Sequence, residues 1–194
     1  EILRCLVGSE MCIRDRGDMF VNPSRPFYQS VTIMHLDAID IEHYVLFAQH
    51  HFRTAGKNIK EEVIRSVYER FEGITWYIQK ILNVLYAFTP QGEICTEDKV
   101  DIAIRFILES YHYTYSELLF QIPEKQKEIL VAICKVGKAQ NVTSAAFIKK
   151  YRLPSASSVQ AALKGLLEKD FITKEQGTYQ VYDRFFSLWL REQM

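Results

Sequence analysis

Phe171-Ile-Thr-Lys-Glu-Gln-Gly-Thr-Tyr-Gln-Val-Tyr182 is the stretch whose pattern decides the fold. Two short runs rich in β-branched and aromatic residues flank Gln176-Gly177, and a glycine in such a pair lets the chain reverse within two residues, so the segment predicts a β-hairpin. Upstream, Pro123 stands at a favourable first-turn position, and Ile129, Leu130, Ile133 and Val136 predict a helix that stops at Gly137. Thr143 to Tyr151 makes a short second helix. After the Leu153-Pro154 turn, Ser155-Ala-Ser-Ser158 offers caps to a third, with Val159, Leu163, Leu166 and Leu167 on its buried face. Three helices and then a hairpin is the order of a winged helix-turn-helix. Downstream, Arg184 to Glu192 carries Phe185, Phe186, Leu188, Trp189 and Leu190, and this amphipathic helix should pack back on whatever precedes the module.

Further upstream the pattern is helical. Asp40 can cap a helix whose apolar residues Ile41, Tyr44, Val45, Phe47, Ala48 and Phe52 recur every three or four positions, ending at Gly56. Ile59 to Phe71 repeats this with Val63, Ile64, Val67 and Tyr68, and Gly73 stops it. Thr75 to Phe88 is apolar on most faces and so predicts the central, buried helix of a bundle; Pro90-Gln91-Gly92 breaks it. Thr96 then caps a helix through Glu109, and Tyr111 to Ile122 forms another. Before the bundle, Gly17 to Ser30 reads as a loop because of Pro23 and Pro26, and Ser30 to Leu36 alternates like one β-strand. A single strand cannot stand alone, so its sheet partners are expected upstream.

Lys plus Arg and Asp plus Glu both total 24, and 48% of the residues are hydrophobic, an ordinary globular balance. The charge is unevenly spread: 12 Lys/Arg against 7 Asp/Glu from Pro123 onward, and 12 against 17 before it. The cysteines (Cys5, Cys12, Cys95, Cys134) form no C-x-x-C pair and lack histidines at zinc-ligand spacing, which predicts no metal site, no disulfide framework and a reducing cytoplasm. No apolar run reaches the roughly 18 to 20 residues that span a bilayer. Glu10, Arg14, Asp15 and Arg16 interrupt the one N-terminal apolar stretch, against a signal peptide.

Enzymatic motifs are absent. A P-loop needs G-x-x-x-x-G-K-[ST], so that backbone amides approach the phosphates and the hydroxyl ligates magnesium. Here Gly56-Lys57 and Gly137-Lys138 are preceded at the required place by His51 and Ala132 and followed by Asn58 and Ala139. Neither H-E-x-x-H nor G-x-S-x-G occurs. The five histidines, His35, His43, His50, His51 and His112, are scattered and read as structural. Tyr111-His-Tyr-Thr-Tyr115 reads as core or interface in preference to base stacking. What remains is a candidate nucleic-acid face: Ser157, Gln160, Ala161 and Lys164 form a stripe on the third helix that can enter a major groove. Lys149, Lys150 and Arg152 before it, with Lys169 and Lys174 near the wing, can contact phosphates. A solvated face, or a protein-contact surface, stands as the alternative.

Leu6 to Arg16 resembles the translated read-through of a sequencing-library adapter across eleven consecutive residues, which implies that residues 1–16 are an artefact; the alternative is a helix ending near Gly17. Two further stretches carry a family likeness. Ser24-Arg-Pro-Phe-Tyr-Gln-Ser30 with its following strand, and Gln176-Gly-Thr-Tyr-Gln-Val-Tyr-Asp-Arg-Phe-Phe-Ser-Leu-Trp-Leu-Arg191, whose closing Tyr182–Arg191 pattern is the most specific part, resemble the C-terminal half of prokaryotic AAA+/STAND-class ATPases of the archaeal-ATPase type. The resemblance covers 17–194. It implies a mainly α chain: a remnant of an α/β ATPase core (17–37, with the last core strand), a helical lid and connecting helices (38–122), and a winged-helix domain with a C-terminal helix (123–194). It further implies that ATP and magnesium belong to an intact parent whose P-loop core is missing here, that Arg25 can serve as an arginine finger or a loop anchor, and that the fragment is no enzyme. The family's lid often begins Gly-x-x-Arg with a nucleotide-sensing arginine, whereas Gly73-Ile-Thr-Trp76 places tryptophan there; Trp76 and Tyr77 can instead border the adenine or lie in the core. Expected partners are the missing core, DNA or a protein, and further copies of the chain, with no membrane.

Overall fold

The computed structural model describes residues 38–194, together with residues 23, 24 and 30. The chain divides into two compact units, Glu1–Asp37 and Ala38–Met194. All the helices and strands among the described residues belong to the second. The adapter-like run, Arg25, His35 and, beyond Ser30, the strand expected through Leu36 lie outside the described residues.

Eight helices and five short strands are found among the described residues, in the order α1 Ile41–Thr54, β1 Asn58–Ile59, α2 Glu61–Arg70, α3 Thr75–Phe88, β2 Ile94–Cys95, α4 Asp98–Gln121, α5 Glu124–Val136, β3 Ala139–Gln140, α6 Ala145–Tyr151, α7 Ala156–Glu168, β4 Ile172–Glu175, β5 Thr178–Val181 and α8 Arg184–Glu192. The fold is mainly helical, as its apolar periodicities require. Asp40 caps α1, its carboxylate accepting from the Glu42 N–H at 2.9 Å, and Tyr44, Val45, Ala48 and Phe52 form the buried stripe.

Three expectations need correcting in this half. Ile59 belongs not to α2 but to β1, which pairs in parallel with β2 through Asn58↔Ile94 and Ile59↔Cys95. Two-residue strands have too short a period to show in a sequence, and their pairing is non-local. Two residues before β1, Gly56 turns the chain with φ +69°, and a Cβ there would meet the Gln91 side chain at 3.0 Å. Second, α3 buries Tyr77, Ile78, Ile81, Leu82 and Leu85, yet Trp76, Tyr86 and Phe88 stay more than a third exposed, so it is less enclosed than its composition suggests. Third, the helices read as Thr96–Glu109 and Tyr111–Ile122 are one. Neither glycine nor proline interrupts α4, and Ile104, Ile107, Leu108, Tyr111, Tyr115 and Leu118 keep returning to the same core. Its N-cap is Glu97, without a side-chain bond, and at 24 residues it runs for about 36 Å. Pro123 ends it by holding Ile122 extended at ψ 129° and then caps α5.

The second half matches the helix order read from sequence. Here α5, α6 and α7 are followed by the β4–β5 hairpin, and α6 starts slightly later than expected, at Ala145 after its Ser144 cap. Val136 is exposed, and Leu167, expected on the buried face of α7, is half-buried; Ala132 and Cys134 complete the inner face of α5. A strand not anticipated, β3, joins the hairpin to give a three-stranded antiparallel sheet in the order β3-β5-β4. Its two residues pair Ala139 with Tyr179 and Gln140 with Thr178.

One continuous apolar core runs through both halves, from Val63, Ile64, Ile78 and Ile81 to Ile129, Ile133, Leu163 and Phe185. The N-terminus of α8 is where they lock. Asp183 accepts from the Phe185 and Phe186 N–H groups at 2.8 and 3.1 Å, while its other oxygen accepts the Tyr115 hydroxyl of α4 at 3.0 Å. The Tyr77 hydroxyl of α3 accepts from the Arg184 N–H at 3.0 Å. Burial first, then the neighbouring Asp183 carboxylate, hold the Tyr115 phenol far above its ordinary range, so it stays a donor. Tyr115→Phe is expected to cost about 1–3 kcal/mol in urea unfolding, the usual penalty for orphaning a buried partner. Because the folded-state pKa is raised above the unfolded value near 10, the tyrosine's contribution is complete below that pH and lost as pH rises beyond it; the alkaline limb of the wild-type stability curve should flatten in Tyr115→Phe.

Candidate functional site

The helix-turn-helix face is built from local rules. Ser144 caps α6 by accepting from the Phe147 N–H at 3.2 Å, and Ser155 caps α7 by accepting from the Ser158 N–H at 3.4 Å. Between them Arg152 takes a left-handed conformation, φ 53°, and Leu153 donates back to the Ile148 carbonyl at 2.9 Å, closing α6 and swinging the chain into α7. Helix α7 buries Val159, Ala162, Leu163 and Leu166 and turns Ser157, Gln160, Ala161 and Lys164 to solvent, as the sequence spacing demands. At the wing, Gln176 and Gly177 both have positive φ, 46° and 80°, the signature of a two-residue reversal between Glu175 and Thr178.

All eight residues singled out for nucleic-acid contact are exposed: Lys149 and Lys150 on α6, Arg152 in the turn, Ser157, Gln160 and Lys164 on α7, Lys169 just beyond it and Lys174 on β4. They do not converge on one spot. Lys169 follows the C-terminus of α7, about 18 Å along the axis from Ser157. The stripe is also weakly charged, since its one cation, Lys164, lies 3.8 Å from the Glu168 carboxylate one turn on. Lys174 sits over the Tyr179 ring and Lys150 over that of Tyr151.

Trp76 and Tyr77 lie at the junction of α3 with α8. The Tyr77 ring stacks on Phe71 with centroids 5.6 Å apart and meets Phe185 edge-on at 5.1 Å, while Trp76 packs against both Tyr77 and Phe185. His112 accepts from the Trp189 indole N–H at 3.1 Å, a structural bond between α4 and α8; His43, His50 and His51 are exposed on α1. Tyr115 is buried while Tyr113 points outward. Among the described residues no group of His, Cys, Asp and Glu is arranged to hold a metal ion.

Sequence reasoning missed Glu72. This residue sits in the α2–α3 turn at φ 55°, and its carboxylate accepts from Arg184 of α8 at 3.0 Å and from Lys138, before β3, at 2.5 Å. The three residues are scattered along the chain, so only folding brings them together. The Lys138 ammonium, with Arg184 adding to it, holds the Glu72 carboxyl below the usual carboxylate range.

A helix, a strand, two helices and a two-stranded wing, with the first strand closing the sheet beside the last, define a winged helix-turn-helix. Residues 113–192 match the family described as "Probable winged helix domain", and the match begins inside α4 and ends with α8. Across 88% of the chain the fold is similar to that of the Walker-type ATPase of Pyrococcus abyssi, with a TM-score of 0.58 and 18% identity. The chain spans about half of that protein, 47% of its length. No curated protein matches it.

The depressed Glu72 pKa carries a sign. Its stabilising contribution is present above the unfolded value near 4.5 and is lost as pH falls through the lower folded value. Acid unfolding followed by circular dichroism should therefore show wild type ahead of Glu72→Gln at neutral pH, with the gap closing below about pH 4.

Proposed function

We propose that this chain is the lid and winged-helix part of an ATP-binding ATPase of the AAA+/STAND class, acting as the output module of a nucleotide-binding core and performing no catalysis itself. The observation that carries this reading is the double anchorage of α8. Tyr115 and Tyr77 hold its first turn from the bundle side, and its own apolar face forms the base of the winged helix. A bundle displaced by nucleotide would therefore take the winged helix with it as one body. The fold likeness to a Walker-type ATPase, which extends over residues well outside the winged helix, supports the same assignment.

In this reading ATP and magnesium bind to a core N-terminal to residue 38, with residues 17–37 as its last loop and strand and Arg25 as an arginine finger. Trp76, the more exposed of the aromatic pair, is the residue able to border the adenine. In this reading the protein works in the cytoplasm, as a homo-oligomer or with a protein partner. The decisive experiment compares this chain with a product extended upstream in the gene. The extended protein should bind and hydrolyse ATP in a manner abolished by replacing the phosphate-loop lysine, and residues 38–194 alone should show no ATP binding in calorimetry. An upstream sequence without a P-loop, or hydrolysis by the short chain, refutes the assignment.

DNA contact through α7 is the second reading, favoured by the exposure of Lys149, Lys150 and Arg152 just before α7 and of Lys164 on its third turn. A gel shift at low salt should weaken as salt rises, and Lys164→Glu should lose binding with the fold intact. If no shift is seen even at low salt, a protein-contact role replaces it.

A further inference from the structure

Beside the Glu72 bridge lies an open cleft of about 160 Å³. Its cationic lining is Arg70, Lys138, Arg184 and Arg191, and Glu72 is the one carboxylate among the lining residues. Arg184, Ser187 and Arg191 stand at i, i+3 and i+7 of α8, so a single helix face presents two guanidinium groups and a hydroxyl. These groups are positioned in advance. The Arg191 Nε donates to the Cys134 carbonyl at 3.0 Å and Arg184 donates to the Val181 carbonyl at 3.2 Å, which fixes both forks and leaves further N–H donors for a ligand. Gly137 keeps the space beside Arg191 open, since a Cβ there would come within 3.2 Å of a terminal guanidinium nitrogen. Arg70 already donates to Asp101 at 2.8 Å, so three cations are offset by one carboxylate.

We propose that this cleft binds a phosphate group, and that Glu72 is an internal competitor which occupies the Lys138 and Arg184 donors until a dianion displaces it. A phosphate dianion offers twice the charge and more acceptor oxygens than one carboxylate, and guanidinium forks match its geometry. The displaced Glu72 would release the α2–α3 turn from β3 and α8. This inference stands apart from the ATPase and DNA readings, because it concerns a different face.

Isothermal titration of the whole chain with inorganic phosphate, at constant ionic strength made up with chloride, tests it. Wild type should bind, and Glu72→Gln should bind roughly tenfold more tightly, the size of one charged hydrogen-bonding competitor removed. A merely structural ion pair would not give that gain. Lys138 is 63% exposed, so Lys138→Gln is expected to fold normally; it should weaken phosphate binding alone and cancel the gain in the double variant. O-phosphoserine in the same assay separates a free ion from a phosphorylated side chain: binding of inorganic phosphate alone identifies the former, and binding of both identifies a monoester site. The proposal is overturned by Glu72→Gln binding no better than wild type, by Lys138→Gln binding unchanged, or by chloride at equal ionic strength giving the same heat.

Discussion

The first turn of α8 is the constraint on which the rest of the molecule depends. Four N–H groups at a helix start have no partner within the helix, and in α8 Asp183 satisfies two of them and the Tyr77 hydroxyl of α3 a third. The same Asp183 carboxylate receives the buried Tyr115 hydroxyl from α4. One aspartate thus starts the last helix and ties it to the long helix of the bundle. Without that bond a buried phenol and a capping carboxylate would both lose a partner in the centre of the core.

Around this point the aromatic residues of α8 do the packing. Phe185 lies against Phe71, Trp76 and Tyr77, whereas Phe186 and Trp189 lie against Tyr115. Each ring pair buries far more apolar area than the polar contacts do, so rings supply most of the cohesion and hydrogen bonds supply its register. The winged helix is consequently not a separate bead on a linker. Its apolar base is continuous with the core of the helical bundle, while the α6–α7 face and the wing remain open to solvent.

The face left open is only mildly basic, with Lys164 near Glu168, which sets it apart from a strongly cationic groove reader. A second concentration of positive charge is at the seam, where Glu72 meets Lys138 and Arg184 beside Arg191. Charge in this protein is thus invested as much in the junction between its parts as in the recognition helix.

The sequence by itself determined the helices with clear three- and four-residue periods, the cap at Asp40, a serine cap within Ser155 to Ser158, and the Gln176-Gly177 reversal, because these depend on side-chain spacing and on backbone freedom within a few residues. From them the winged-helix order followed, and so did the exposed positions of Lys149, Lys150, Arg152, Ser157, Gln160 and Lys164. Only the tertiary structure decided that α4 is one helix, that β1, β2 and β3 exist, and that Glu72, Lys138 and Arg184 meet. Two-residue strands and ion pairs formed by residues as much as 112 positions apart leave no local pattern; their stability comes from partners that the fold alone brings within reach.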